Sequence, residues 1–396
     1  MRFSLLAAGF LAAGCVAVPV PQPAAPPDKL ALSPASFAVL PGWAQERHAE
    51  ALPAFSETCR RLAALPPDRP LGGGEAAAPR AGRVSDWLPL CAEAATLPRG
   101  DDAAARQFFE ARFRPWLATN VAGERPDPFG LFTGYYEPEL SGTRRRRPGA
   151  TPLLSRPTDL VQVELGEFSD DLRGRRTAGR VEQGRLVPYA TRAQIDRGAL
   201  DGRRLELLWV DDPVDAFFLH IQGSGRVRLA EGGVARVGFA AQNGHTYVPI
   251  GRVLVDRGVM TQDQVSMQSI RAWLAANPTE ARGVMDQNPS YIFFREIQGL
   301  RPEEGPPGAF GVPLTAERSI AVDRTHIPLG VPVFVDITHP TTNAPWRRML
   351  MAQDIGGAIR GPVRGDVFWG TGDAAGEPAG RMRSRGAWWL LLPASL

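Results

Sequence analysis

The sequence predicts a mainly β protein with helices near its N-terminus, and three patterns support that fold class. Between residues 40 and about 117, apolar residues recur at three- and four-residue spacing, as at Phe55 and Leu62, which is typical of helices. From Phe129 onward, short apolar runs alternate with Gly, Pro and charged turns, which indicates strands and hairpins. Over 312–392 the close spacing of glycines and prolines favours a tight barrel over a flat sheet.

The middle of the chain divides into predicted strands and a helical stretch. The apolar runs that we expect to form strands are 131–136, 205–210, 216–221, 225–229 and 234–239. Residues 249–298 return to helical spacing, with a short helix predicted at 249–257 and a stronger one at 266–277. At 396 residues the chain can form two domains, or one large domain that contains an insertion.

The first fifteen residues predict export. One Arg is followed by a short apolar run and small residues, too short to span a membrane and typical of a secretory signal. The run ends in Leu-Ala-Ala-Gly-Cys15, which resembles a bacterial lipobox, so we expect Cys15 to be lipidated and to anchor the protein. Because Val16 follows rather than Asp, we expect an outer membrane lipoprotein facing the periplasm, with a soluble periplasmic protein as the alternative. Residues 16–39 are predicted to form a Pro/Ala-rich tether.

Two further cysteines, Cys59 and Cys91, lie in helix-like segments. In an oxidising compartment they favour a structural disulfide, with two buried thiols as the alternative. No Cys-x-x-Cys spacing exists and the five His are scattered, so we expect no metal site and no cofactor. The Arg clusters at 144–147 and 173–176 indicate solvated loops, although an anionic polymer would also suit them. With a formal net charge of +3 and no recognition motif, we expect no nucleic-acid partner.

Three acids lie in apolar, glycine-rich segments near the C-terminus. Asp354 and Asp366 are twelve residues apart, and Asp323 lies upstream in Ile-Ala-Val-Asp-Arg-Thr-His-Ile-Pro-Leu-Gly. Carboxylates are costly to bury unless they are hydrogen-bonded or take part in chemistry. Such aspartates often cap turns through backbone amides. Three of them in one β-rich region nevertheless favour a reactive site.

The pattern of these acids resembles the so-called 3D domain, named for its three aspartates. The stretches that resemble the membrane-bound lytic murein transglycosylase A family are TGYYEP at 133–138, FFLHIQGSGR at 217–226, NGHTY at 243–247 and QNPSYIFF at 287–294. The resemblance implies a double-psi β-barrel domain, built from 40–142 and 286–396 and including the N-terminal helices, with the 3D motif at 312–392. It also implies a second, β-barrel-like domain inserted at 143–285, with a groove between the two domains.

Members of that family cleave the β-1,4 bond between N-acetylmuramic acid and N-acetylglucosamine in peptidoglycan without using water. The muramoyl 6-hydroxyl attacks its own anomeric carbon and leaves a 1,6-anhydro end. The resemblance therefore implies a carbon–oxygen lyase whose single catalytic acid corresponds to Asp366. A tethered nucleophile removes the need for a second carboxylate that activates water. One acid can then protonate the leaving oxygen and later accept the hydroxyl proton.

The other two aspartates are expected to support this chemistry. For catalysis Asp366 must be protonated, and an apolar setting or a nearby carboxylate would raise its pKa. We assign Asp354 a supporting role, in which it either hydrogen-bonds the sugar or tunes Asp366. Asp323 is expected to be the structural acid of the motif, anchoring a barrel turn.

Candidate sugar contacts lie in the segments that resemble the family. Adjacent Tyr135 and Tyr136 point to opposite sides of a strand, so one can reach the groove while the other packs, unless both are core residues. Thr133 is a further candidate. Gln222 can hydrogen-bond acetamido or hydroxyl groups from a glycine-rich loop, unless that segment is a simple turn. Trp369 is either a sugar platform or part of the barrel core.

Two other functions remain open from the residues alone. A hydrolytic glycosidase could use Asp366 as the acid, with Asp354 or Glu137 activating water. A non-catalytic lipoprotein could bind peptidoglycan without cleaving it. Only product chemistry separates the hydrolase from the lyase. We expect a monomer that binds peptidoglycan glycan strands, with cell-wall synthesis or division proteins as further candidate partners.

Overall fold

The structure is a computed structural model that describes residues 28–122, 125–169, 172 and 175–396. In chain order its strands are β1 (Leu30–Pro34), β2 (Phe113–Asn120), β3 (Gly130–Glu137), β4 (Glu139–Thr143), β5 (Thr151–Leu154), β6 (Val161–Glu164), β7 (Arg176–Glu182), β8 (Arg185–Pro188), β9 (Glu206–Val210), β10 (Ser224–Leu229), β11 (Val234–Gln242), β12 (Ile292–Glu296), β13 (Ser319–Val322), β14 (Pro332–Thr338), β15 (Pro345–Asp354), β16 (Arg364–Thr371) and β17 (Arg383–Pro393). Its α-helices are α1 (Leu52–Ala63), α2 (Ala78–Ala81), α3 (Val84–Ala94), α4 (Asp102–Arg112), α5 (Arg192–Asp196), α6 (Pro213–Gln222), α7 (Ile250–Asp256), α8 (Met267–Ala276), α9 (Pro278–Met285) and α10 (Asp373–Arg381). Short 3-10 helices lie at Phe37–Val39, Trp43–Gln45, His48–Ala51 and Leu165–Glu167.

Six strands close into a barrel. The sheet runs β17–β14–β15–β13–β16–β3, and β3 pairs again with β17. The pairs β13–β15 and β16–β3 are parallel, and the other pairs around the ring are antiparallel. Side chains on the inner face fill the barrel and are fully buried, among them Phe132, Ile320, Leu350, Val367 and Trp388. The predicted barrel is therefore present, and it is closed by β3, a strand far upstream of the other five.

The N-terminal helices share the barrel's core. Phe55 of α1, Trp87 of α3 and Phe109 of α4 are fully buried in the same apolar cluster as the barrel strands. A disulfide bond between Cys59 and Cys91 joins α1 to α3, the pairing favoured from the sequence. Helix α1 has 12 residues, and within the described ranges no helix is long and apolar enough to cross a membrane.

Two segments predicted in the N-terminal region end earlier in the structure than expected. The predicted tether of 16–39 includes β1, which pairs antiparallel with β2 from Leu30 opposite Asn120 to Pro34 opposite Trp116. The dense run of prolines ends at Pro27, and pairing with β2 supplies backbone hydrogen bonds to the segment that follows. The helical pattern predicted to about residue 117 ends with α4, because 113–120 forms β2. Residues 1–27, including Cys15, lie outside the described part of the chain.

The residues between β3 and β13 form a second β-rich unit, which we call the inserted domain. Its main sheet has the order β12–β11–β10–β4–β9–β5, and β6–β7–β8 form a smaller antiparallel sheet. The main sheet has an apolar cluster of its own, which includes Leu153, Leu208 and Phe294. Because β4 starts at 139 and β12 ends at 296, this domain is wider at both ends than the predicted 143–285.

Two secondary-structure predictions inside the inserted domain are wrong. The run 216–221, predicted as a strand, lies in α6, where Asp212 accepts a hydrogen bond from the Val214 amide and Pro213 opens the first turn. A short, wholly apolar run does not distinguish a buried helix from a buried strand. The stretch 249–298 is helical only as far as α9, because β12 adds to the main sheet beside β11.

Candidate active site

The side chains of β3 alternate between the barrel core and the inserted domain. Phe132 and Tyr136 point into the core, and each is no more than 5% exposed. Thr133, Tyr135 and Glu137 therefore lie on the opposite face. Glu137 contacts the inserted domain, which shows that this face lies beneath it. We call it the acid-bearing face. Both tyrosines predicted as sugar contacts are buried, Tyr136 in the barrel core and Tyr135 in a small apolar cluster on the acid-bearing face.

Strand β16 lies parallel to β3 and continues this face. Asp366 pairs with Thr133 and Phe368 with Tyr135, so both belong to the acid-bearing face. Val367 and Trp369 point the other way, into the barrel core. The Trp369 ring packs against Trp346 with 5.3 Å between ring centroids, and its indole N–H is directed at the sulfur of Met382. Trp369 is therefore a core residue and cannot act as a sugar platform.

Asp366 is partly buried and hydrogen-bonded to its strand neighbour. The Thr133 hydroxyl donates to Asp366 Oδ1 at 2.6 Å, and the Arg364 guanidinium donates to the same Thr133 oxygen at 2.8 Å. Loss of hydration raises the pKa of Asp366 above its usual value, while the positive charge of Arg364 and the Thr133 hydrogen bond oppose the rise. The net effect is a raised pKa, so Asp366 keeps its proton to higher pH than an exposed aspartate does.

Asp354 lies at the end of β15 with both carboxylate oxygens occupied. Oδ1 accepts a hydrogen bond from the Ala309 amide, and Oδ2 accepts one from the Tyr135 hydroxyl, each at 2.8 Å. Burial raises the pKa of Asp354, the two donors lower it, and the charge of Asp366 raises it further. Burial and the negative charge of Asp354 raise the pKa of Tyr135 well above its usual range, so this hydroxyl remains a donor.

The two acids flank one small residue. Strand β13 lies between β15 and β16, and its Ala321 pairs with Asp354 on one side and with Asp366 on the other. The Cα atoms of the two acids are therefore separated by two strand spacings, roughly 9–10 Å. Ala321 is 3% exposed and belongs to one apolar cluster with Tyr135 and Phe368.

Asp323 fixes the loop that joins the two acids. Its Oδ1 accepts hydrogen bonds from the amide and the hydroxyl of Thr325, at 3.0 and 2.7 Å. Its Oδ2 accepts from the amide of Gly361, within the 355–363 connection, at 2.9 Å. The side chain is 4% exposed, so little of it can reach a ligand. These contacts agree with the structural role expected for Asp323.

Glu137 links the two domains and is not available as a second catalytic carboxylate. It is fully buried. Arg226 and Arg236 of the inserted domain donate to its two oxygens at 2.8 and 2.9 Å, and the Thr371 hydroxyl donates at 2.8 Å. A carboxyl group with three donors and no access to solvent has no route to a substrate or a water.

Gln222 is the last residue of α6 and also joins the domains. Its Oε1 accepts a hydrogen bond from the Tyr136 amide at 3.0 Å. Gly223 follows in the left-handed conformation, with φ of 81°, and ends the helix. The Gly-Ser-Gly segment is therefore a helix C-cap leading into β10 rather than an open loop. Because Oε1 is occupied, only the side-chain N–H groups of Gln222 are left for the sugar contact, which stays a prediction.

Sequence reasoning missed two residues of the acid-bearing face and one just before it in the chain. Arg364 lies two positions before Asp366, and Leu131 two positions before Thr133. Phe129 comes directly before β3. Phe129 is 53% exposed and Leu131 is 41% exposed, an apolar surface open to solvent next to the acid. Residues two positions apart in a strand share a face, so counting back in twos from Thr133 and Asp366 would have pointed to these residues.

This arrangement defines a class of protein. A partly buried, protonatable aspartate lies on a barrel face beneath a second domain. A second carboxylate is held by two hydrogen bonds across a small residue, and exposed apolar side chains lie alongside. An acid-catalysed, polysaccharide-cleaving enzyme needs these features.

Comparison with known proteins identifies the family. The family model for the MltA specific insert domain matches residues 131–295, and that for the 3D domain matches 318–392. The membrane-bound lytic murein transglycosylase A of Escherichia coli K12 is 32% identical over 315 residues, which cover 78% of this chain and 74% of that protein. The Vibrio cholerae protein of the same name is 33% identical over 210 residues, which span 51% of this chain and 55% of that relative.

Solved structures agree. A membrane-bound lytic murein transglycosylase from Agrobacterium tumefaciens superposes with a TM-score of 0.78 at 36% identity, covering 91% of this chain and 97% of that one. E. coli MltA with bound chitohexaose superposes with a TM-score of 0.64 at 25% identity, covering 93% and 95%. The chain belongs to the membrane-bound lytic murein transglycosylase A family, as its motifs implied, and is a lytic transglycosylase.

Proposed function

We propose that this enzyme cleaves the β-1,4 bond between N-acetylmuramic acid and N-acetylglucosamine without water, with Asp366 as its single acid/base. The observation that carries the proposal is the setting of Asp366: a partly buried carboxyl group on the acid-bearing face, whose pKa is raised by loss of hydration. Such a group can hold the proton that the leaving glycosidic oxygen needs.

The reaction can be written with this one group. Protonated Asp366 gives its proton to the glycosidic oxygen as the bond from that oxygen to the muramoyl anomeric carbon breaks. The 6-hydroxyl of the same sugar forms the new bond to this carbon, and the Asp366 carboxylate takes the hydroxyl proton. The product is a 1,6-anhydro ring, and the acid is regenerated for the next cycle. Intramolecular attack makes a water-activating carboxylate unnecessary.

Asp354 would stabilise the transition state without exchanging a proton. Both of its oxygens accept hydrogen bonds from fixed donors, Ala309 and Tyr135, so its position is defined before substrate binds. The transition state of glycoside cleavage carries positive charge on the sugar ring. A carboxylate held across Ala321 from the acid would favour that charge.

The substrate would be a glycan strand lying along the acid-bearing face. The E. coli relative was solved with bound chitohexaose, which supports an oligosaccharide as the ligand. Thr133 and Tyr135 would limit how closely the sugar approaches, since their hydroxyls are hydrogen-bonded to the two acids. Phe129 and Leu131 would contact the apolar face of a neighbouring sugar.

The family name supports attachment to a membrane, and the lipobox-like Cys15 supplies a route. We propose a lipid anchor at Cys15 and a position at the outer membrane, facing the periplasm. A Cys15→Ala variant would then be recovered in the soluble periplasmic fraction, whereas the parent protein would sediment with outer membranes. Sedimentation of both proteins with membranes would contradict the lipid anchor.

Mass spectrometry of the products tests the reaction. Purified protein lacking residues 1–27 is incubated with peptidoglycan, and the released muropeptides are weighed. Products one water lighter than reducing muropeptides are expected, and Asp366→Asn should abolish them. The matched control is Asp256→Asn, which makes the same change at a residue whose side chain is 68% exposed. Reducing ends would indicate a hydrolase, and no release would indicate a binding protein.

A further inference from the structure

A cavity of about 630 Å³ lies against the end of β16, where Phe368, Gly370 and Thr371 line it. Phe368, one of its lining residues, lies two positions along β16 from Asp366 and on the same face, so the cavity begins roughly 7 Å from the acid along the strand. The 301–305 loop and α1 provide other walls. Its volume lies in the range of pockets that hold small ligands.

The wall formed by the 301–304 loop is held rigidly. Arg226 donates to the carbonyl oxygens of Pro302 at 2.8 Å and Glu304 at 3.0 Å, while its third contact is the buried Glu137. Because Glu137 belongs to β3, the cavity wall and the acid-bearing face are anchored to the same strand. Contacts between the two domains therefore hold this wall of the cavity in place.

The cavity combines exposed charges of both signs with an apolar floor. Arg301 lies 3.4 Å from Glu303 and 3.2 Å from Glu304, all three line the cavity, and the side chains of Arg301 and Glu303 are 70% and 66% exposed. Pro313 supplies apolar surface. An exposed ion pair of this kind contributes little to stability and can exchange its partners for charges on a ligand.

A sugar is a poor fit to this surface. Phe368 is the one aromatic among the cavity's described lining residues, and it is 1% exposed, so it offers no ring face for stacking. The opposite side of Asp366 carries the exposed Phe129 and Leu131. The two sides of the acid therefore differ: one suits sugar rings, the other a short zwitterionic chain.

We propose that this cavity binds the peptide stem of the muramoyl unit, a short peptide that carries free carboxylates and an amine. The inference rests on the proposed function, since the stem enters only if a muramoyl sugar lies at Asp366. Arg301 receives a stem carboxylate and Glu303 receives an amine, while Pro313 contacts the peptide's apolar side chains. Arg301 and Glu303 thereby set the preference for peptide-bearing over naked glycan.

The test compares two substrates that differ only in the stem: intact glycan strands, and the same strands stripped by an amidase. Arg301→Ala and Glu303→Ala alter exposed side chains, so both variants should fold. Each should lower kcat/KM on peptide-bearing strands about fivefold and change it less than twofold on stripped strands. The matched control, Arg228→Ala, removes an Arg that is 71% exposed and outside the cavity, and should affect neither substrate.

Binding of the free stem peptide released by the amidase, measured by calorimetry, should weaken in Arg301→Ala. Equal losses on both substrates would overturn the proposal in favour of a glycan or structural role, and unchanged rates on both would show that the cavity binds no stem. Failure of the parent protein to form 1,6-anhydro ends from either substrate would instead overturn the proposed function.

Discussion

Thr133 donates its hydroxyl hydrogen to Asp366 at 2.6 Å, although the two residues are 233 positions apart in the chain. The bond forms because β3 closes the barrel beside β16 with these two residues in register. A donor stabilises the ionised carboxylate, so Thr133 opposes the protonation that catalysis requires. The pKa of Asp366 is consequently a compromise between burial, which raises it, and Thr133 with Arg364, which lower it.

Replacing Thr133 with Val should move the pH dependence of the enzyme. Without the donor, the pKa of Asp366 rises further, so the acid keeps its proton to higher pH. The decline of kcat/KM on the alkaline side of the pH profile should therefore shift upward. At low pH, where Asp366 is protonated in both proteins, the rates should differ by less than about tenfold.

The control for that shift is Thr177→Val, the same change on β7 of the inserted domain. Val suits a strand as well as Thr does, so neither variant should lose its secondary structure. A pH profile of Thr133→Val that coincides with the parent's, or that shifts toward acid, would contradict the assignment of Asp366 as the acid.

Replacing Tyr135 with Phe should test the role of Asp354. The ring keeps its packing on Phe368, with centroids 5.3 Å apart, but the hydroxyl that donates to Asp354 is lost. A hydrogen bond to a charged group contributes about 1.5–3 kcal/mol, so kcat should fall about 10- to 100-fold if Asp354 stabilises the transition state. KM should change little, because the substrate does not depend on this hydroxyl.

Tyr189→Phe is a matched control for Tyr135→Phe. Tyr189 is also buried, and its hydroxyl donates to a carboxylate, Asp159, at 2.9 Å, but in the inserted domain. This variant should lose comparable stability and keep its kcat. Equal losses of kcat in the two variants would show that Tyr135 acts through stability rather than through Asp354.

The sequence pattern within one strand predicted part of the site, whereas the rest depends on which distant strands pair. The alternation of β3 shows that Tyr135 and Tyr136 face opposite ways, but only the pairing with β16 shows which faces the acid. Asp354 and Asp366 were recognisable as unusual acids, yet their relation through Ala321 depends on the order of three strands. Trp369 was a candidate sugar platform because it is close to Asp366 in the sequence. It lies three positions further along β16, so its side chain points to the opposite face of the strand and into the core.

Replacing Asp366 with Asn should stabilise the protein at neutral pH while abolishing activity. The folded-state pKa is raised, so the folded protein binds the proton more tightly than the unfolded chain. The stability contributed by this group is present below the unfolded pKa near 3.9 and is lost as pH rises through the folded pKa. Asn does not ionise and escapes that loss, and in a chain of 396 residues each kcal/mol recovered corresponds to about 1 °C in Tm.

Thermal unfolding followed by circular dichroism at several pH values checks this expectation. The difference in Tm between Asp366→Asn and the parent should be positive at pH 7 and should shrink toward pH 3. Asp256→Asn, at an exposed site, should show no such trend. A variant less stable than the parent at pH 7 would mean that ionised Asp366 is stabilised by its neighbours, Arg364 and Thr133.

Replacing Phe129 with Ala should weaken glycan binding without changing the chemical step. The side chain is 53% exposed beside the acid-bearing face, so its removal leaves no cavity in the core. Loss of one aromatic contact corresponds to about 0.5–1.5 kcal/mol, so the Kd for a chitooligosaccharide should rise roughly 2- to 12-fold while kcat at saturation is retained. Phe168→Ala, which removes a ring that is 75% exposed in the inserted domain, is the control and should bind as the parent does. If both variants bind equally well, the sugar does not lie over Phe129, and the glycan must leave the acid in another direction.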